Sequence, residues 1–452
     1  MATIATTNKQ FPAAAGLTTR KPGIYIASMK WRNQLLALFC LVVFVALGIL
    51  YFQHWVVQKP FGIVLFIGEG LAPQRLAAAR VYAGGADAKL ALDSLPHLAL
   101  LSNYSKDFAA PDQAAAATAL ATGTKVNNRA VALDDENKAL TNLIELARAR
   151  GRATGLITDG KVTDATCAAF YAHRTDADDA DAIAAEFASK PPVDVAMGGG
   201  VAHFLPQAKG GERADDRDLL LELRRNGFDL LRTRAELESF PAWRRPKLLG
   251  AFANAEMAFT NQLEARKDQP ALSDMVRRAV ELLQYNAGGY LLVVDASLMG
   301  KAARENTAER TLTETIELDR AVATARRYGG PRCTVVVCGD VAVGGLNLNG
   351  FPFRKDSGIA LLGLNSGGQP WLTWATGPHG SRSYGSPRTS PAPTFGEQIE
   401  MSPEYLEPAA IYDQAALNTV DDVLALGNGP GSEALQGSLD NTAVFKIIRD
   451  QL

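Results

Sequence analysis

The chain has 452 residues, 47% of them hydrophobic and 21% charged, with a formal net charge of -2. That balance is globular and leaves ample chain for one large core or two smaller ones. Near-neutral charge argues against nucleic acid as the main partner, since phosphate binding shows as a basic excess, and four cysteines are too few for a disulfide scaffold.

Residues 1–32 are Thr, Ala and Gly with scattered cations, and they read as a loosely structured N-terminal segment. Residues 33–52, NQLLALFCLVVFVALGILYF, carry no charge, and about 20 such residues cross a bilayer as a helix. Lys21, Lys30 and Arg32 precede the run, while His54 and Lys59 are sparse beyond it. The positive-inside rule then puts the N-terminus in the cytoplasm and the large domain outside, in the periplasm if the cell is bacterial. A cleaved signal peptide is the rival, because Ala46-Leu47-Gly48 has the small residues of a cleavage site. The length of the run and the leader before it favour an uncleaved, single-pass signal anchor.

The remainder, residues 60–452, reads as one domain. FGIVLFIGEG is an apolar strand running into a glycine turn, followed by a helix over 73–82 and a second strand, HLALLSNY. Helices are expected over 141–150 and 178–188, with the strand ATGLIT between them and VDVAMGGG after them. Residues 213–285 read as mostly helical. YLLVVD and CTVVVCGD are buried-type strands separated by a long helix over 307–328. Cys333 and Cys338 fall on opposite faces of that last strand and cannot pair with each other. Residues 364–408 are rich in Gly, Pro and Ser, an irregular insertion whose Trp371, Trp374 and Tyr384 offer a candidate interaction surface. Its plainer reading is an ordinary excursion that caps a site. DDVLALGNGPGSE and a capped terminal helix in SLDNTAVFKIIRDQL close the chain.

Short apolar strands alternating with helices imply a three-layer α/β/α sandwich around a large, mostly parallel sheet. Functional groups in such sheets gather at the carboxyl ends of the strands. Glu69, Asp164, Asp295 and Asp340 each follow or end an apolar strand. One such acid is usually a helix cap. Four at one sheet edge repel each other unless a cation or a proton compensates them. A bound magnesium or calcium ion is the favoured solution, with a raised carboxylate pKa or an internal cation such as Lys161, Lys301 or Arg304 as the rivals.

One further stretch organises the rest. Residues 109–126 read AAPDQAAAATALATGTKV: Pro111-Asp112 opens an alanine-rich helix that ends in a Thr-Gly-Thr-Lys turn. Taken alone, Asp112 is an N-cap, worth about 1 kcal/mol. The stretch also resembles the nucleophile segment of the alkaline phosphatase family, Pro-Asp-Ser-Ala-x-x-Ala-Thr-Ala. Further landmarks of that resemblance are IGEGLAPQRLAAAR, VTDATCAAFYAH, VDVAMGGG, VVDAS, VVVCGD and NTVDDVLALGNGPGSE, in the family's order from about residue 61 to 452.

The resemblance implies the alkaline phosphatase fold, and it exposes what this chain lacks. The family's serine nucleophile corresponds to Gln113, a carboxamide with no nucleophilic oxygen or sulfur of the required kind. The arginine that clamps phosphate corresponds to Ala177, four residues after His173, and neighbouring Arg174 leaves the motif on a different side. One zinc set corresponds to Gly300, Arg304 and Asn418, and the second retains Asp340 but has Val341 for its histidine. The family's magnesium ligands correspond to Glu69, Asp164 with Thr166, and Asp295, an all-oxygen set suited to magnesium or calcium rather than zinc. The chain therefore reads as a degenerate member, a membrane-anchored pseudoenzyme acting in binding or assembly. The competing reading is an active phosphoric monoester hydrolase with an altered mechanism. A protein partner or a homodimer is compatible with the first.

Overall fold

The computed structural model describes residues 23–51, 61–242, 246–350, 352, 354–365, 368–381 and 407–452. Two compact units emerge, residues 1–58 and 59–452. In the first, helix α1 (Gly23–Tyr51) contains a 21-residue stretch, Trp31–Tyr51, of mean hydropathy 2.6. Its leucines, valines and phenylalanines are exposed, which in water would be costly and in a bilayer is favourable. Phe52 and the insertion's residues 382–406, including Tyr384, lie outside the described residues.

The second unit begins with β1 (Gly62–Gly68), seven consecutive buried residues, and α2 (Pro73–Gly84). Then come β2 (His97–Ser102), α3 (Gln113–Thr122), α4 (Leu143–Ala149), β3 (Ala153–Lys161), α5 (Ala165–Ala168), α6 (Ala180–Ser189) and β4 (Val195–Gly199). The stretch expected to be mostly helical holds α7 (Leu219–Arg225) and α8 (Arg234–Ser239), but also β5 (Asp229–Leu231) and β6 (Leu248–Ala251). Those strands are three and four residues long, too short for periodicity to separate from helix. After α9 (Leu272–Leu283) come β7 (Tyr290–Ala296), α10 (Leu298–Arg304), α11 (Ala308–Gly329) and β8 (Cys333–Gly339). Short strands β9 (Ala342–Val343), β10 (Asn347–Leu348), β11 (Leu372–Gly377), β12 (Gly380–Ser381), β13 (Ala409–Tyr412) and β14 (Asn418–Thr419) precede β15 (Val423–Asn428), β16 (Gln436–Asp440) and α12 (Thr442–Arg449).

Ten strands form one sheet in the order β16-β2-β15-β8-β1-β7-β3-β4-β6-β5. Only β15 runs antiparallel to its neighbours. Alternate residues of the central strands feed two separate cores: Val64, Phe66 and Val294 lie on one face, and Ile63, Leu65, Ile67 and Val293 on the other. Cys333 and Cys338 divide the same way, so they cannot pair, and all four cysteines are free. Helices cover both faces, giving the expected three layers. Trp374 is buried and packs over Gly344, so it is core rather than interaction surface, and Trp371 is half-buried.

Candidate functional site

The sheet order places β8, β1, β7 and β3 side by side, and each delivers an acid at its carboxyl end. Glu69 follows β1, Asp340 follows β8, Asp295 is the penultimate residue of β7, and β3 leads into Asp164. Parallel register pairs Ile67 with both Asp295 and Cys338, and Thr158 with Asp295. Glu69, Asp295, Asp340 and Thr166 are buried, and Asp164 is partly buried.

The positions corresponding to one zinc set meet at Glu69. Helix α10 follows β7 directly and brings Arg304 back over the edge. Arg304 donates from Nε and Nη2 to Glu69 Oε1 at 3.1 and 2.9 Å. The same Nη2 reaches Asn418 Oδ1 at 3.0 Å, and Asn418 Nδ2 donates to the Pro111 carbonyl at 2.8 Å. Gly300 makes the room: a Cβ there would lie 2.0 Å from Glu69 Cδ and 2.3 Å from Oε2. Glu69 and the guanidinium thus occupy one interlocked arrangement with Gly300 and Asn418. Below it, Arg75 Nη1 donates to the Glu69 carbonyl at 2.6 Å. Burial pushes the Glu69 carboxyl up, Arg304 pulls it back, and Asp340 raises it again.

The other carboxylates are held separately. Thr166 Oγ1 donates to Asp340 Oδ2 at 3.1 Å, and the Val341 amide donates to Oδ1 at 2.6 Å. Thr158 Oγ1 donates to Asp295 Oδ2 at 2.8 Å, with the Cys167 thiol 3.6 Å from the same oxygen. Asp295 Oδ1 is buried with no hydrogen-bond partner. Burial, then the charge of Asp159, drives the Asp295 carboxyl well above the usual range. Asp164 Oδ2 accepts from the Lys161 amide at 2.9 Å, and burial pushes its carboxyl up to about 6. Lys301 is turned away to Glu256 and Lys161 acts on Asp164, so that of the three candidates Arg304 is the one paired with Glu69.

Whether these residues fit the metals implied by the resemblance follows from donor chemistry and spacing. Gly300 has no donor, Arg304 is a fixed cation, and Asn418 is already hydrogen-bonded on both sides, so the zinc set does not fit. The oxygen set of Glu69, Asp164, Thr166, Asp295 and Asp340 has the chemistry for magnesium or calcium. Among the described residues, however, no three of His, Cys, Asp or Glu gather closely enough to hold an ion.

In the nucleophile segment, Asp112 is the N-cap of α3. It accepts from the Ala115 amide at 2.8 Å and from the Arg129 amide at 2.6 Å. Gln113 occupies the first helical position. Thr118 is no substitute hydroxyl: it is fully buried, donating to the Ala130 carbonyl and accepting from the Ala132 amide. Arg174 pairs with Glu186 at 3.0 Å rather than supplying a clamp, and Ala177 is a partly buried packing residue against one of the two cores. His173 lies between Glu186 and the Leu140 carbonyl, 3.4 and 3.2 Å away, which is a structural role.

Three buried residues of this edge escaped sequence reasoning. Asp159 accepts from the Leu298 amide at 3.0 Å, and burial pushes it up to about 8. It stands directly after the run GLIT, and that adjacency was the available signal. Asn103 donates to the Asp340 carbonyl, and Arg75 lies under Glu69. Neither carried a signal: Asn103 depends on a contact between separate strands, and Arg75 on how the first turn of α2 folds back onto the turn after β1.

A family profile for alkaline phosphatase matches residues 62–452. The tissue-nonspecific alkaline phosphatase of Gallus gallus is 28% identical over 332 residues, 63% of this chain and 64% of that protein. Alkaline phosphatase H of Pseudomonas aeruginosa is 30% identical over 318 residues, 60% of this chain and 66% of that protein. These matches therefore span somewhat less than two thirds of either relative. Among solved structures, alkaline phosphatase from the Antarctic bacterium TAB5 superimposes with a TM-score of 0.67 at 21% identity, over 87% of this chain and 98% of that one. The Thermus thermophilus enzyme gives 0.68 at 23%, over 88% and 92%. With the ten-strand sheet, the acids on four adjacent strands and the profile match in hand, the chain belongs to the alkaline phosphatase family.

Proposed function

We propose that this is a membrane-anchored alkaline-phosphatase-like protein without phosphomonoesterase activity, acting in binding or assembly at the membrane. The observation that carries the reading is the Arg304–Glu69 pair with Asn418, seated over Gly300. In two-metal hydrolysis a zinc pair activates the nucleophile and stabilises the leaving oxygen. Here a guanidinium neutralises the carboxylate instead, and it can neither accept a lone pair nor acidify water. Gln113 and Ala177 remove nucleophile and clamp as well, and effects of groups that act as a unit are not recovered one at a time.

If the edge takes a metal at all, its oxygen donors call for magnesium or calcium. The orphaned Asp295 Oδ1 favours such an ion, and the Arg304 charge opposes it. Helix α1 is read as a signal anchor with the N-terminus cytoplasmic and the main domain extracytoplasmic, on the strength of Lys30 and Arg32 before the apolar span. The partner is the membrane and, beyond it, a second protein or a second copy.

The test is an aryl phosphate assay at alkaline pH on the full chain purified from membranes, with and without added zinc and magnesium. The expected result is no turnover above buffer. Saturable turnover that disappears with Asp340→Ala would establish the altered-mechanism hydrolase instead. Recovery of the chain in the soluble fraction, beginning near Gly48, would remove the anchor.

A further inference from the structure

Beside the turn that follows Glu69 lies a cavity of about 230 Å³, whose lining includes Gly70, Gln74, Arg75, Val343, Asn347 and Asp421. Two features of its wall point to the same kind of occupant. The first is the start of α2, a 12-residue helix with proline in its first turn. Its N-cap is Ala72, which has no side-chain oxygen to accept from the first-turn amides. Those amides and the helix dipole favour a negative charge. The second is Arg75, only 2% exposed. Its Nη1 is used by the Glu69 carbonyl, but its Nε is buried with no hydrogen-bond partner. The charges of Glu69 and Asp340 reach the guanidinium, but Glu69 is engaged by Arg304, and Asp340 by the Thr166 hydroxyl and the Val341 amide. A buried guanidinium bonded to one backbone carbonyl is poorly compensated.

We propose that this cavity binds a small carboxylate-bearing ligand, its oxygens seated between Arg75 and the uncapped N-terminus of α2. The class follows from the charges present. A planar carboxylate matches the guanidinium fork. Asp421, exposed at the rim and fixed by the Thr419 hydroxyl at 2.6 Å, opposes a doubly charged anion. A monovalent carboxylate is therefore preferred over phosphate. The site uses none of the positions that correspond to the family's nucleophile, clamp or zinc ligands, so it stands or falls independently of phosphatase activity.

The experiment is thermal unfolding of the full detergent-solubilised chain in sodium acetate, with sodium chloride and sodium phosphate at equal ionic strength as comparisons. Acetate should raise the midpoint saturably, by about 1–2 °C at a tenfold excess over its Kd, and more than phosphate. Arg75→Gln should lose the response. Because Arg75 also supports the Glu69 turn, Ala72→Asp is the decisive second variant. Ala72 has the extended backbone of an N-cap, φ -109° and ψ 164°, so an aspartate there caps α2 and fills the anion position from within. That variant should melt higher without acetate and no longer respond to it. Acetate indistinguishable from chloride, stabilisation by phosphate alone, or an acetate response retained by Ala72→Asp would each overturn the proposal.

Discussion

Replacing Gly300 with alanine isolates the contact on which the functional reading rests. Gly300 lies inside α10, where a glycine-to-alanine change ordinarily stabilises by about 0.5–1 kcal/mol. Here the new Cβ would sit 2.0 Å from Glu69 Cδ and 2.2 Å from Cγ, distances that no packed pair tolerates. Glu69 must leave, and its ion pair with Arg304 breaks. Overpacking costs about 1–3 kcal/mol, and stranding one partner of a buried pair about 3–5 kcal/mol. The Arg304 side chain is 28% exposed, so the second figure is discounted for solvent, giving a net loss of roughly 2–4 kcal/mol. Shortening Glu69 to aspartate withdraws the carboxylate by one methylene and should relieve the clash. In a double-mutant cycle, Glu69→Asp with Gly300→Ala should therefore be more stable than the sum of the single changes by about 1–3 kcal/mol. Urea unfolding of the full chain in detergent, at constant m, reads all four corners. If Gly300→Ala is as stable as the wild type, or if Glu69→Asp leaves its cost unchanged, the interlocked arrangement is wrong.

The buried acids predict the pH dependence of stability. Burial pushes Asp159 up to about 8, far above its value in the unfolded chain, so the folded state binds the extra proton. Its contribution is fully present below about pH 4 and is lost as pH rises to about 8. Asp159→Asn keeps an oxygen for the Leu298 amide and should flatten that slope; a profile superimposable on the wild type's would discount Asp159. Metal dependence separates the two ways of compensating the edge. With Arg304 in place, millimolar magnesium, calcium or chelator should leave the thermal midpoint unmoved, while Arg304→Ala should acquire a dependence on magnesium or calcium. A chelator-sensitive wild type would assign the compensation to a bound ion instead.

Much of this was legible in the chain itself. Apolar runs such as GIVLFIG and YLLVVDA, short, rich in β-branched residues and flanked by glycines, read as strands covered on both faces, and an acid at the end of each fixes where polar groups must collect. Asp112 ahead of an alanine run is a cap by local chemistry alone, and the substitutions at Gln113, Ala177 and Gly300 are visible without coordinates. The charge of Arg304 was visible too, but its partner was not. Choosing among Lys161, Lys301 and Arg304 required knowing that Lys301 reaches Glu256 while α10 folds Arg304 back onto Glu69. Tertiary structure also decided that Asp159 shares the edge with Asp295 and that β5 and β6 extend the sheet. It buried Trp374 and folded the Arg75 side chain, from the first turn of α2, back onto the Glu69 carbonyl. The physical reason is common to these cases. Period, capping and strand ends are set by neighbours within a few residues, whereas the reach of one side chain to another depends on register and crossovers joining segments up to hundreds of residues apart.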